Sequence, residues 1–151
     1  MSEVGFYHLG TTPLERALPR LLERALAEGH RAVVIAGSAE RVAVLDVLLW
    51  TYSDASFLPH GAVRDGTEPR QPIWLTTADE NPNGATMLVL VDGAASAQLA
   101  GFRRVCDLFD GNDEAAVAAA RARWRAAKAA GHDLVYWRQT ATGWDRRGGD
   151  G

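Results

Sequence analysis

The chain has 151 residues, of which 47% are hydrophobic and 23% are charged, and its formal net charge is −3 at pH 7. This composition is typical of one globular domain, and the acidic balance argues against a protein that coats DNA through an excess of Lys and Arg. The single cysteine, Cys106, excludes an internal disulfide and a cysteine-cluster metal site. No apolar run approaches the roughly 20 residues that span a bilayer, and the first residues do not resemble a secretory signal. We therefore expect a cytoplasmic protein that does not contact a membrane.

The N-terminal third of the sequence alternates between strand and helix patterns. Residues 4–9 are β-rich and predict a first strand, and the hydroxyls and proline of residues 11–13 favour the start of a helix that runs to about Glu28. Residues 31–37 form a continuous apolar run, which is typical of a strand covered on both faces. Ser38 then caps a second helix, whose apolar residues repeat at helical spacing.

The middle of the chain is less regular. Residues 53–71 are rich in Asp, Gly, Pro and Arg and predict a long loop. A weak strand pattern at 72–77 precedes a strong buried-strand pattern at 85–93. A short helix near residues 95–101 and a strand near residues 103–108 follow.

The last third contains the clearest helix of the sequence, Asp113–Ala130, followed by a strand pattern at residues 132–139. The alternation of strands and helices predicts an α/β fold with a largely parallel sheet and helices on both faces. We expect one domain over residues 1–142 and a flexible C-terminal tail over residues 143–151.

Residues that could carry out chemistry do not cluster in this sequence. One glycine follows each of the first two predicted strands, without the glycine-rich turn that a phosphate site needs. The histidines fall in four separate places, with no ligand spacing and no neighbouring carboxylate pair: His8, His30, His60 and His132. We therefore predict no catalytic residue, no metal site and no cofactor, and the functional class becomes binding.

A basic face on the predicted helix Asp113–Ala130 is the strongest candidate site. Five side chains repeat at helical spacing along one side: Val117, Arg121, Trp124, Arg125 and Lys128. This side could bind an acidic partner, with the arginines contacting carboxylates while the ring and the valine form an apolar slot. The alternative is a solvated basic face whose tryptophan turns into the core.

A second unusual stretch, LLWTYSDASFLPHG, spans residues 48–61 and places large hydrophobic groups among turn residues. Trp50 and Phe57 could fold back as a lid over the edge of the sheet. They could equally form an exposed apolar patch that binds another protein.

Three segments, FYHL, LDVLLWTYSDASFLPHG and ARARWRAAKAAGHDL, resemble the chi subunits of bacterial DNA polymerase III holoenzyme in their order and relative positions. The tryptophan followed seven residues later by Phe-x-Pro-His-Gly is the most specific part. The resemblance covers nearly the whole chain. It implies a Rossmann-like α/β fold that binds no nucleotide and a non-catalytic accessory subunit of the clamp loader.

The resemblance also implies partners and site residues. Chi pairs with the psi subunit and binds the acidic, phenylalanine-terminated tail of single-stranded DNA-binding protein, so contact with DNA is expected to be indirect. The match puts the tail-binding arginine at Arg121, its aromatic neighbour at Trp124 and a second cation, commonly lysine in the family, at Arg125. Lys128 shares this face without a firm match. The surface for psi, or for a helicase in some relatives, is matched by four residues: Trp50, Phe57, Leu58 and Pro59.

Two other functions remain open from the residues alone. The chain could be an enzyme that binds a nucleotide or small molecule on the α/β scaffold, with His60 or a loop carboxylate near the strand ends. It could also bind single-stranded DNA directly, since cations and aromatic rings together suit stacking platforms. The missing phosphate-binding glycines argue against the first function, and the acidic net charge argues against the second.

Overall fold

The computed structural model describes residues 2–51, 61–62 and 71–147, and for residues 50, 51, 61, 62 and 147 it describes the backbone alone. Within these residues the chain forms eight strands and three helices. In chain order they are β1 Glu3–Leu9, α1 Leu14–Ala27, β2 Ala32–Ile35, α2 Ala39–Thr51, β3 Gly61–Ala62, β4 Ile73–Thr76, β5 Met87–Leu90, β6 Arg104–Asp110, α3 Glu114–Ala129, β7 Asp133–Thr140 and β8 Gly143–Arg147. No helix in this described part is both long and apolar enough to cross a membrane.

All the strands belong to one sheet, in the order β3-β4-β2-β5-β6-β1-β7-β8. Every neighbouring pair is parallel except β7 and β8, which are antiparallel. Strand β1 therefore lies between β6 and β7, far from β2, to which α1 connects it. This arrangement confirms the predicted α/β fold with a largely parallel sheet.

The helices divide between the two faces of the sheet. Buried side chains of α1 and α2, such as Leu22 and Leu49, pack on one face, and Trp124 of α3 packs on the other. Neighbouring residues of β2 point to opposite faces, so Val34 joins the first cluster and Val33 the second. All four residues of β2 are buried, as predicted for a strand covered on both sides.

The ends of α1 and α2 agree with the sequence in two of three places. The Arg41 N–H donates to Ser38 Oγ over 3.1 Å, so Ser38 caps α2 as predicted. Gly29 adopts a φ of 85° just after α1, a left-handed conformation that favours glycine. The hydroxyl cap predicted for α1 is wrong, because the N-cap is Pro13 and no side chain caps the helix. The nearby Thr12 N–H donates instead to Gln139 Oε1 over 2.8 Å, which ties this loop to β7.

Two further sequence predictions are corrected in the middle of the chain. The predicted helix near residues 95–101 is reduced to a single 3-10 turn at Leu99–Gly101. The predicted loop at residues 53–71 contains β3, whose two residues pair with β4. The pairing residues are Gly and Ala, whose sequence pattern carries no strand signal, so only the neighbouring strand identifies them.

The flexible tail predicted for residues 143–151 is wrong for Gly143–Arg147, which form the edge strand β8. The indole of Trp144 packs edge-on against the ring of Tyr7, with the centroids 5.6 Å apart. The guanidinium of Arg146 lies 6.0 Å from the ring centroid of Trp137. These contacts, together with backbone pairing to β7, order a segment whose composition predicts disorder.

Candidate partner-binding surfaces

The helix α3 forms because its sequence is rich in alanine and has residues that stabilise both helix ends. Asp113 Oδ1 accepts hydrogen bonds from the N–H groups of Ala115 and Ala116, at 3.0 and 3.4 Å, and Lys128 lies in the last turn, where the helix dipole favours a cation. One stripe of the helix is buried against the sheet and consists of Ala120, Trp124 and Ala127. The small alanines let the helix approach the strands closely, and the tryptophan fills the remaining space.

Trp124 lies inside the core, with only 8% of its surface exposed. Its ring contacts Phe6 of β1 and Tyr136 of β7 edge-on, at centroid distances of 5.2 and 5.9 Å. The location matches the alternative interpretation of the basic face, in which the tryptophan turns inward. Trp124 therefore holds α3 on the sheet, and a contact between its exposed edge and a ligand stays a prediction.

The cations predicted on α3 lie on its outer side. Arg121, Arg125 and Lys128 are exposed, while Val117 is half-buried and packs against the core below. Within the described part of the chain, neither Arg121 nor Arg125 has an ion pair or hydrogen bond through its side chain. We call Val117, Arg121, Arg125 and Lys128 the α3 surface.

The sheet contributes residues beside Arg121 that the sequence did not single out. His8 Nδ1 lies 2.6 Å from Tyr136 Oη, so a neutral imidazole can accept a hydrogen bond from the phenol. Burial lowers the pKa of His8, and the positive charges of Arg138 and Arg121 lower it further. Tyr136 and Arg138 are two residues apart on β7 and so share one side of the strand. The alternation of side chains along β7 could be read from the sequence. That β7 lies beside the helix that carries Arg121 could not.

The turn between β6 and α3 packs directly against His8. A Cβ atom on Gly111 would lie 2.0 Å from His8 Cδ2 and 2.6 Å from the Leu9 carbonyl oxygen. Only glycine leaves room for this approach, since no residue with a side chain could keep the same backbone position. Gly111 thus allows His8 to sit beside the first turns of α3.

Arg123 of α3 has a different environment. Its Nε donates to Asp107 Oδ2 over 2.6 Å and its Nη2 donates to Oδ1 over 3.0 Å, and Asp107 is only 2% exposed. Burial raises the pKa of Asp107, while the guanidinium acts in the opposite direction. This two-bond contact fixes α3 to β6 and leaves Arg123 unavailable to a partner.

The surface predicted for psi falls largely outside the described residues. Phe57, Leu58 and Pro59 lie there, and Trp50 belongs to the last turn of α2 with its side chain outside the description. The same helix exposes two valines, Val44 by 51% and Val47 by 59%.

Residues 44, 47 and 50 follow one another at helical spacing along α2. The sequence had drawn attention to the buried stripe of this helix instead, so the apolar outer stripe was missed.

The carboxyl ends of β1, β5 and β6 surround a cavity of about 720 Å³. Rossmann-like folds bind nucleotides at such an edge. In this cavity Arg41 contacts Glu15 and Asp92, both at 2.8 Å, so its charge is already compensated. Carboxylates outnumber cations in the lining, which includes Asp110 and Asp113. The lining therefore disfavours a bound phosphate.

The residues with catalytic or metal-binding chemistry are dispersed. His30 Nδ1 lies 2.8 Å from Thr86 Oγ1, His132 lies beside Ser2, and His60 falls outside the described residues. Burial raises the pKa of the Cys106 thiol to about 11, which keeps it protonated. In the part of the chain that the structure describes, no three His, Cys, Asp or Glu side chains form a metal-binding group.

The family model described as DNA polymerase III chi subunit, HolC, matches residues 1–135. The chain belongs to this chi subunit family. A similar protein, the probable DNA polymerase III subunit chi of Rickettsia prowazekii (strain Madrid E), is 30% identical over 99 residues. The alignment covers 66% of this chain and 60% of that relative, so the chain spans about 60% of the relative's length.

Membership of the chi family confirms the resemblance drawn from the three sequence segments. The match to the family includes every residue of the α3 surface and the residues predicted to contact psi. It ends just before Tyr136, so Arg138 and the whole of β8 lie beyond the chi match. Arg121 therefore lies within the matched residues, whereas Tyr136 and Arg138 of β7 lie beyond the end of the match.

Proposed function

We propose that this chain is a non-catalytic accessory subunit of the bacterial replicative DNA polymerase. It would link the clamp-loader complex, through psi, to the acidic C-terminal tail of single-stranded DNA-binding protein. Membership of the chi family supports the polymerase setting. The observation that carries the tail-binding part is the row of exposed cations on the α3 surface.

The charges of the α3 surface suit an acidic peptide. Arg121 and Arg125 are exposed and have no carboxylate partner within the described residues, so a ligand can supply one. Arginine forms two parallel hydrogen bonds with a carboxylate, which orients a flexible tail. Arg138 adds a further positive charge on this side of the sheet, where it and Arg121 both lower the pKa of His8.

An apolar surface beside these cations suits the terminal phenylalanine of such a tail. Val117, Leu134 and Tyr136 are partly buried and pack against the core of this side of the sheet. A phenyl ring placed over Val117 would gain burial at roughly 25 cal/mol per Å² of apolar surface. The carboxylates of the peptide would thus contact the arginines, and its phenyl ring would contact the apolar surface.

The decisive experiment is titration of a fluorescently labelled tail peptide into the intact chain. We expect Arg121→Ala to weaken binding about 30-fold, equivalent to about 2 kcal/mol, as for a hot-spot residue. Arg103→Ala removes an equal charge from an exposed site just before β6 and should leave the affinity unchanged. Binding should also weaken as salt rises, since screening acts over roughly 8 to 10 Å. Unchanged affinity in Arg121→Ala contradicts the proposal.

The outer stripe of α2 supports the second contact, with psi. Val44 and Val47 carry apolar surface along the helix toward Trp50, where the psi surface is expected to begin. Co-purification with psi tests this assignment. Val44→Arg should reduce the amount of psi recovered, and Ala27→Arg, at an exposed position of α1, should not. A helicase that uses the same surface would compete with psi and lose binding in the same variant.

A further inference from the structure

A groove with three aromatic rings and three arginines lies on the sheet face opposite α3. Side chains of α1 and of strands β1, β6, β7 and β8 enclose a volume of about 240 Å³. We call it the aromatic–arginine groove and define it by Tyr7, Trp137, Trp144, Arg20, Arg24 and Arg104. It does not overlap the α3 surface, and β7 and β8 contribute to it from beyond the residues that the family model matches.

The rings of the groove form a corner. Tyr7 and Trp137 are nearly parallel, with an interplanar angle of 13° and centroids 6.4 Å apart. Trp144 stands at 87° to Tyr7, and 41% of its surface is exposed. A planar group that enters this corner can stack on the open indole while its edge contacts the other rings. The geometry therefore selects a flat, aromatic ligand group.

The cations of the groove are of two kinds. Arg104 donates to Tyr7 Oη over 3.0 Å and lies 3.8 Å from Glu28, so it positions the tyrosine. Arg20 and Arg24 are exposed on α1 and have no ion pair within residues 2–51, 61–62 and 71–147. No carboxylate is among the residues that line the groove. In a chain of net charge −3, Arg20 and Arg24 therefore add two positive charges to the groove that no carboxylate of the described residues compensates.

We propose that the aromatic–arginine groove binds single-stranded DNA, with one base stacked on Trp144 and the flanking phosphates bound by Arg20 and Arg24. The two arginines are one helical turn apart, roughly 6 Å, a separation comparable to that of successive phosphates in an extended strand. Arginine binds phosphate through two hydrogen bonds, and base stacking on an aromatic ring tolerates any sequence.

A nucleotide strand fits this groove better than an acidic peptide does. Each nucleotide supplies a planar base and a phosphate at a fixed separation, which matches an aromatic corner beside paired arginines. The small volume restricts the contact to about one base, so we expect weak binding. Weak binding also agrees with the net charge of −3, because an acidic chain attracts the phosphates only close to the groove. This contact goes beyond the indirect association with DNA expected from the family and is independent of tail binding.

The test is titration of a labelled oligothymidylate of about 12 nucleotides into the intact chain at low salt, followed by fluorescence anisotropy. We expect Arg20→Ala with Arg24→Ala to weaken binding at least tenfold. Arg121→Ala with Arg125→Ala makes the same change in charge on the α3 surface and should weaken binding less than threefold. Trp144→Ala should weaken binding at least fivefold, and Trp144→Phe, which keeps a ring, should retain most of the affinity.

Circular dichroism of each variant separates lost binding from lost folding, and Trp144→Phe covers the case in which β8 needs an aromatic ring. Three results would overturn the proposal. The oligonucleotide does not bind to the wild-type chain; both double variants weaken binding equally; or an acidic peptide binds through Arg20 and Arg24 while the oligonucleotide does not. Each of these leaves the tail peptide assay at Arg121 unaffected.

Discussion

The inner and outer sides of α3 carry arginines with opposite roles, although Arg121 and Arg123 are only two residues apart. On the inner side, the guanidinium of Arg123 is bound by a carboxylate that is 2% exposed. On the outer side, Arg121 is exposed and has no carboxylate partner within the described residues. A side chain whose charge is already compensated inside the protein stabilises the fold. A side chain whose charge has no partner inside the protein is available to bind a ligand.

The largest expected effect concerns Trp124, the aromatic residue on the inner side of α3. Trp124→Ala should lower the free energy of unfolding by about 4 kcal/mol, because it removes the contacts with Phe6 and Tyr136 and leaves a cavity. Urea denaturation followed by circular dichroism measures the change. A loss below about 1 kcal/mol would mean that the inner side does not depend on this residue.

Next in size is the buried ion pair. Arg123→Ala should cost about 3 kcal/mol, because Asp107 would remain buried without its partner. Adding Asp107→Ala should recover part of this loss, since it removes the uncompensated carboxylate. Denaturation of both variants and of Arg121→Ala, expected within about 0.5 kcal/mol of wild type, compares the two sides directly. Equal losses for Arg121→Ala and Arg123→Ala would remove the distinction.

A smaller effect concerns the N-terminal end of α3, which the inner and outer sides of the helix share. Asp113→Ala removes the side-chain acceptor for the N–H groups of Ala115 and Ala116 and should cost about 1 kcal/mol. Tail affinity should hold, because the α3 surface begins one turn later. If thermal denaturation shows no change, another group must cap the helix.

The smallest effect is a pH dependence at His8, the β1 residue whose pKa the charge of Arg121 helps to lower. The pKa of His8 is lowered in the folded chain, so the unfolded chain takes up a proton first as pH falls below about 6.5. His8 therefore contributes stability that is present above this pH and is lost below it. The free energy of unfolding should fall more steeply between pH 7 and pH 5 in the wild type than in His8→Gln. Parallel curves would show that His8 does not titrate differently on folding.

Much of the local structure could be predicted because its signals are local. The apolar runs of β2 and β5 and the alanine-rich pattern of α3 specify strand and helix by their periods. The strands β3 and β8 could not be predicted in this way. Gly61–Ala62 and Gly143–Arg147 lack a strand pattern and are ordered by the strands that they pair with.

The candidate sites show the same division. The sequence placed Arg121 and Arg125 on one helix side and, through resemblance, assigned them to an acidic tail. It could not show that Trp124 turns inward, since helical spacing gives the relative direction of side chains but not the side that faces the core.

By itself, the sequence determined the alternation of strands and helices, the chi family, and the row of cations on α3. Only the tertiary structure decided which arginines are compensated, that Arg121 and Arg138 both lower the pKa of His8, and that β8 completes the aromatic–arginine groove. Patterns along a chain report the preferences of neighbouring residues, whereas burial and charge compensation depend on which distant strands the sheet brings side by side.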